Sequence, residues 1–143
     1  MQPYLSDASL STTTPLPTAA STAVTGAATD LLNGPFSDNP PMMEWEIDAP
    51  ALAVTQLPNT DIVTYAVVMS ANANMSSPVL IYDSVLVQTG AGGVGAAAAT
   101  ARFRLPFQPG GQNASLRYLA VRATTGAGTD NCSAASYTLL PRF

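Results

Sequence analysis

A two-residue rhythm constrains this chain more than any other feature. In LRYLAVRAT, residues 116–124, Leu119, Val121 and Ala123 fall on one side of an extended backbone, with Ala120 and Arg122 on the other. That is the period of a β-strand with one face in a core. Arg117 and Arg122 are five residues apart and therefore lie on opposite faces. One of them must leave the core side by snorkelling or meet a partner.

The rhythm recurs along the chain. MMEWEID at 42–48 sets Met43, Trp45 and Ile47 against Glu44, Glu46 and Asp48, and TARFRL at 100–105 sets Ala101, Phe103 and Leu105 against Arg102 and Arg104. IVTYAVVMS at 62–70 has the β-branched and aromatic content of a strand. VLIY and SVLVQ, separated within 79–88 by Asp83, read as one bulged strand or two short ones. ALAVTQ at 51–56 and AASYTLL at 134–140 complete the candidates. Between them Asn72, Asn74, Pro106, Pro109, Gly110, Gly111 and the run TGAGTDN supply turns. Short strands, frequent turns and no helical periodicity predict an all-β fold, an antiparallel β-sandwich over residues 42–143, with a jelly roll as the expected topology.

Residues 1–41 differ in kind. Of these 41 residues, 24 are Ser, Thr, Ala or Pro, so the segment holds too little apolar surface to offset its own ordering entropy. It is expected to be an extended N-terminal arm, held by the body of its own subunit or by a neighbouring chain.

Charge and composition remove several function classes. The chain has no His and no Lys, so the usual neutral-pH general base and Schiff-base nucleophile are both missing. Cys132 is the single cysteine, without an intramolecular disulfide partner or a His to activate it. Eight of the nine acids precede residue 84 and all five arginines follow residue 101, so the two parts carry −8 and, with Asp130, +4. Such asymmetry points either to pairing between the sheets of one subunit or to complementary surfaces meeting between subunits. With a net charge of −4, the chain lacks the concentrated basic face that nucleic acid requires. No segment reaches the length of a membrane span or has the charged start of a signal peptide, so neither membrane nor nucleic acid is expected as a partner. Asn74, Asn113 and Asn131 head N-x-S sequons, relevant only to a secreted protein.

One motif invites a catalytic reading. Gly90, Gly92 and Gly95 follow an apolar strand with G-x-G-x-x-G spacing, the fingerprint of a dinucleotide-binding turn. That motif needs a following helix, a second parallel strand and an acid about twenty residues on for the ribose. Here four alanines lead straight into TARFRLP, and no acid occurs between Asp83 and Asp130. A glycine-alanine loop between two strands is the expected outcome, with no cofactor and no catalytic residues. The acids at 44–48 share one strand face, which suits a solvated or interface surface better than a hydrolytic pair.

With YLSDASLSTTT, STAVT, VLVQTGA, the arginine-bearing strand that ends at Leu105 and Pro106, and above all LRYLAVRATTGAGT, the chain resembles the capsid cement, or decoration, proteins of tailed bacteriophages. It departs from their pattern by an insertion from about Leu31 to Pro41 and by lacking a valine-rich first strand directly after the arm. The resemblance implies a small jelly roll behind a short arm, acting without catalysis. It implies homotrimers, made in the host cytoplasm, that sit on the virion surface and clamp neighbouring subunits of the major capsid protein. By the same resemblance the interface residues are Tyr4, Leu5, Ser6, Asp7 and Ala8 of the arm together with Arg102, Arg104 and Arg117. Two other readings stay open: another virion β-sandwich such as a fibre, adaptor or glycan-binding module, and a nucleotide-binding enzyme.

Overall fold

Where apolar side chains return at every second residue, the backbone extends and must find hydrogen-bond partners on neighbouring strands. The structure is a computed structural model that describes residues 10–31, 44–105 and 116–142. Among them nine strands form: β1 (Thr12–Pro15), β2 (Ala23–Thr25), β3 (Thr29–Asp30), β4 (Glu44–Ala49), β5 (Ile62–Ser70), β6 (Val79–Thr89), β7 (Ala99–Phe103), β8 (Tyr118–Thr125) and β9 (Ser136–Arg142). They make two antiparallel sheets, β1-β9-β4-β7 and β2-β8-β5-β6, with β3 also paired to β8. The expected antiparallel β-sandwich is therefore present.

The pairing is nested. Around the β5–β6 hairpin, β4 pairs with β7, β2 with β8 and β1 with β9, and successive pairs fall in opposite sheets. The lateral pairs β4–β9 and β5–β8 join these ribbons into the two sheets.

Between the sheets lies the core. Trp45 and Ile47 of β4, Tyr137 and Leu139 of β9, Val63, Tyr65 and Val67 of β5, and Leu119, Val121 and Ala123 of β8 are all at most 2% exposed. These are the alternate residues of each strand, and each Val or Leu so buried contributes about 1.5–3 kcal/mol. Two tyrosines carry hydroxyls into this space. The Tyr65 hydroxyl donates to Oε1 of Gln88 at 2.7 Å, and Nε2 of Gln88 donates to the carbonyls of Pro50 (2.7 Å) and Ala97 (2.9 Å). Tyr137 donates to the Val121 carbonyl at 2.7 Å, and burial pushes its hydroxyl up to about 12. Their rings meet edge to face at 5.6 Å, so the polar atoms are satisfied while the carbon surface packs.

Two expectations need correcting. Residues 51–56 form no strand: the amides of Gln56 and Leu57 both donate to the Ala53 carbonyl, and Oε1 of Gln56 accepts from the Ala53 amide, so this segment closes on itself as a turn. Leu52 forms an isolated antiparallel bridge to Ala96, and the Gln56 carbonyl accepts from the Asp130 amide at 3.1 Å. The second correction concerns the arm. Between Thr12 and Asp30 the chain supplies β1, β2 and β3 to the two sheets, and Leu16 is 1% exposed in the core. Composition reported the scarcity of apolar surface in this stretch correctly, but a threonine-rich strand needs partners for its amides more than it needs bulk, and β8 and β9 provide them. Residues 1–9 and 32–43, which hold the rest of the expected arm together with Met42 and Met43, lie outside the described residues.

Candidate interaction surfaces

Because Trp45, Ile47 and Ala49 face the core, Glu44, Glu46 and Asp48 of β4 project from the outer face of the four-stranded sheet. Antiparallel register sets Arg102 of β7 opposite Glu46 and Arg142 of β9 opposite Glu44. Glu46, only 5% exposed, is gripped from both sides. Nε of Arg102 donates to its Oε2 at 2.5 Å, and Arg142 meets Oε1 through Nη2 and through Nε at 3.1 Å. Glu44 lies 3.7 Å from both Nη1 of Arg102 and Nε of Arg104. Burial alone would raise the Glu46 carboxyl, but the two arginines outweigh it and hold the group below its ordinary value. For Asp48 the balance is reversed: burial first, then the nearby charge of Glu46, pushes its carboxyl up.

The second ion pair sits on the other sheet. Arg117, just before β8, donates from Nε and Nη2 to the two carboxylate oxygens of Asp30 on β3, at 2.7 and 2.5 Å. Its guanidinium carbon lies 5.2 Å from the centroid of the Tyr118 ring. Late arginines thus meet early acids within one chain and across neighbouring strands of one sheet, rather than between sheets. The structure places Arg102 and Arg104 at the β7 edge of the four-stranded sheet and Arg117 on the five-stranded sheet, so these three expected interface residues do not converge. Tyr4, Leu5, Ser6, Asp7 and Ala8 lie outside the described residues.

The outer face of the five-stranded sheet has two halves. Over one, Met75 folds down from the turn after β5, held at φ +54°, and with Ala28 and Tyr118 covers Val68 and Ala120, both fully buried. The other half is an open groove of about 420 Å³, whose lining includes Thr64, Ala66, Asp83, Ser84, Arg122 and Thr124. Among the described residues neither Arg122 nor Asp83 forms an ion pair. On the groove's face, Ile62 of β5 and Val87 of β6, the latter paired with Thr64, are 41% and 45% exposed. Sequence reasoning put Arg122 on the face opposite Arg117 but did not single it out. The signal was present, because a core face of Leu119, Val121 and Ala123 leaves Arg122 nowhere to point but outward.

The glycine spacing has a packing cause. A Cβ on Gly90 would lie 2.6 Å from the Leu57 carbonyl oxygen, and one on Gly95, at φ +72°, would lie 2.0 Å from that of Leu52. After Gly95 the chain enters β7 instead of a helix. Cys132 is fully buried with its thiol near the carbonyls of Gln56 and Asp130, and burial raises its pKa. No helix among the described residues is long and apolar enough to cross a membrane, and no group of three or more His, Cys, Asp or Glu gathers there to hold a metal. Comparison with protein-family models, with curated proteins and with solved structures finds no match to this chain.

Proposed function

We propose that this chain is a structural, non-enzymatic virion protein of jelly-roll topology that binds the outside of a phage capsid and cements neighbouring major capsid subunits. The observation that carries the reading is the strand order: the nested pairs 5–6, 4–7, 2–8 and 1–9 alternate between sheets, as they do when a long antiparallel ribbon is rolled into a jelly roll. The resemblance of LRYLAVRATTGAGT and its companion segments to decoration proteins supports the same reading, now with that segment at the centre of the five-stranded sheet. A repeated small sandwich suits cementing because modest contacts add up when symmetry multiplies them. In this reading the segment at residues 1–9 adds a further contact to the capsid. A glycan-binding module fits less well, since among the described residues the groove on the five-stranded sheet has no aromatic ring in its lining on which a sugar would stack.

The test uses capsids stripped of this protein. Added back, the purified chain binds them and raises the temperature at which they release their contents; no binding, or binding with unchanged heat resistance, overturns the reading.

A further inference from the structure

We propose that the open half of the five-stranded sheet's outer face, from Arg122 across to edge strand β6, is where copies of this chain pack against one another. The inference is independent of what the assembled protein binds.

Charge selects the occupant. Arg102, Arg104, Arg117 and Arg142 each meet a carboxylate of their own chain. Arg122 is half-buried in the groove and meets none among the described residues, although partial burial of a cation is costly without a partner. Asp83, exposed on β6 and lining the same groove, is likewise unpaired there. Strand β5 lies between them, and no ion pair closes the gap. Each copy therefore carries both halves of an ion pair that its own fold holds apart. A two-fold pair of identical chains packed groove to groove removes the mismatch, since each Arg122 meets the other copy's Asp83.

The surroundings suit a protein surface. Ile62 of β5 and Val87 of β6, which pairs with groove-lining Thr64, are exposed apolar side chains on the groove's face, of the kind that marks association sites. Strand β6 is eleven residues long, ends its sheet, and contains no Pro, Lys or Arg. Its protection against pairing consists of Asp83 and the irregular register between Tyr65 and Val68 of β5.

Sedimentation equilibrium of the purified full chain tests the proposal. The wild type self-associates with increasing concentration. Arg122→Asp and Asp83→Arg each weaken association by at least about tenfold, whereas the double variant regains it to within a few-fold, because the pair is re-formed with its signs exchanged. Val87→Glu weakens association too, and its exposed position on an edge strand leaves the fold, followed by circular dichroism, unchanged. A chain that stays monomeric, single reversals without effect, a double variant no better than the singles, or a folded Val87→Glu protein that associates normally each overturns the proposal.

Discussion

On the four-stranded sheet Glu46 is pressed to 5% exposure between Arg102 and Arg142, whereas on the five-stranded sheet Arg122 lies in an open groove beside exposed Ile62 and Val87. Both faces are polar strand surfaces turned to solvent, and the sequence marks the first far more loudly, with alternating acids facing alternating arginines. On the loud face Glu44 and Glu46 are matched by Arg102, Arg104 and Arg142, with Asp48 alone outside these pairs among the described residues. The matched charges add cross-strand stability and leave less for a partner. The quieter face keeps an unmatched cation, an unmatched acid and uncovered apolar surface, which are the properties an interface needs. A charged residue in a sequence becomes a candidate contact only after the fold has taken the charges it uses itself.

This contrast can be broken at several points. Glu46→Ala has the largest effect, about 2–3 kcal/mol in urea unfolding, because it leaves two arginines confronting each other over a lost carboxylate; the cost stays below that of a fully buried pair because the Arg102 side chain is 46% exposed. A change under about 0.5 kcal/mol would reduce the ladder to ordinary surface charge. Next comes Asp30→Ala, a smaller loss than Glu46→Ala by the same measurement, since both members of the Arg117 pair are partly in water.

Acid sharpens the comparison within β4 itself. The folded Glu46 pKa lies below its unfolded value, so its stabilisation is present above the ordinary carboxylate range and is lost as pH falls through the folded pKa. Asp48 acts in the opposite sense: its folded pKa is raised, so it opposes folding once pH exceeds that pKa, and acidification relieves the cost. Asp48→Asn is therefore more stable than the wild type at pH 7 and loses stability more steeply on acidification, while Glu46→Gln flattens that acid limb. Urea midpoints measured between pH 7 and pH 3 check both signs. The smallest expected effect is on the other face: Arg122→Ala shifts monomer stability by no more than about 0.5 kcal/mol, and a loss comparable to that of Glu46→Ala would show that the two faces are alike.

Much of the fold was legible because each strand carries its burial pattern locally. IVTYAVVMS coincides with β5, and the Trp45 and Ile47 alternation survives in β4 with those side chains in the core. The misreadings occurred where the decisive partner is remote in sequence. Residues 51–56 look extended until Ala53 and Gln56 close a turn over buried Leu57, and Thr12–Pro15 look unstructured until β9, more than a hundred residues later, pairs with them. The glycine spacing was legible as a loop between two strands, but its cause was not, since Gly90 and Gly95 answer to the carbonyls of Leu57 and Leu52.

By itself, then, the sequence determined the strand period, the faces that enter the core, and the outward direction of Arg122, because side-chain alternation is a property of one extended segment. Only the tertiary structure decided which arginine found an acid. Arg102, Arg104, Arg117 and Arg142 are satisfied by register with strands far away in the chain, while Arg122 shares its groove with Asp83 across an intervening strand and is left for something else to meet. Pairing of charges depends on distances of a few ångströms between remote segments, which alternation along a single strand does not encode.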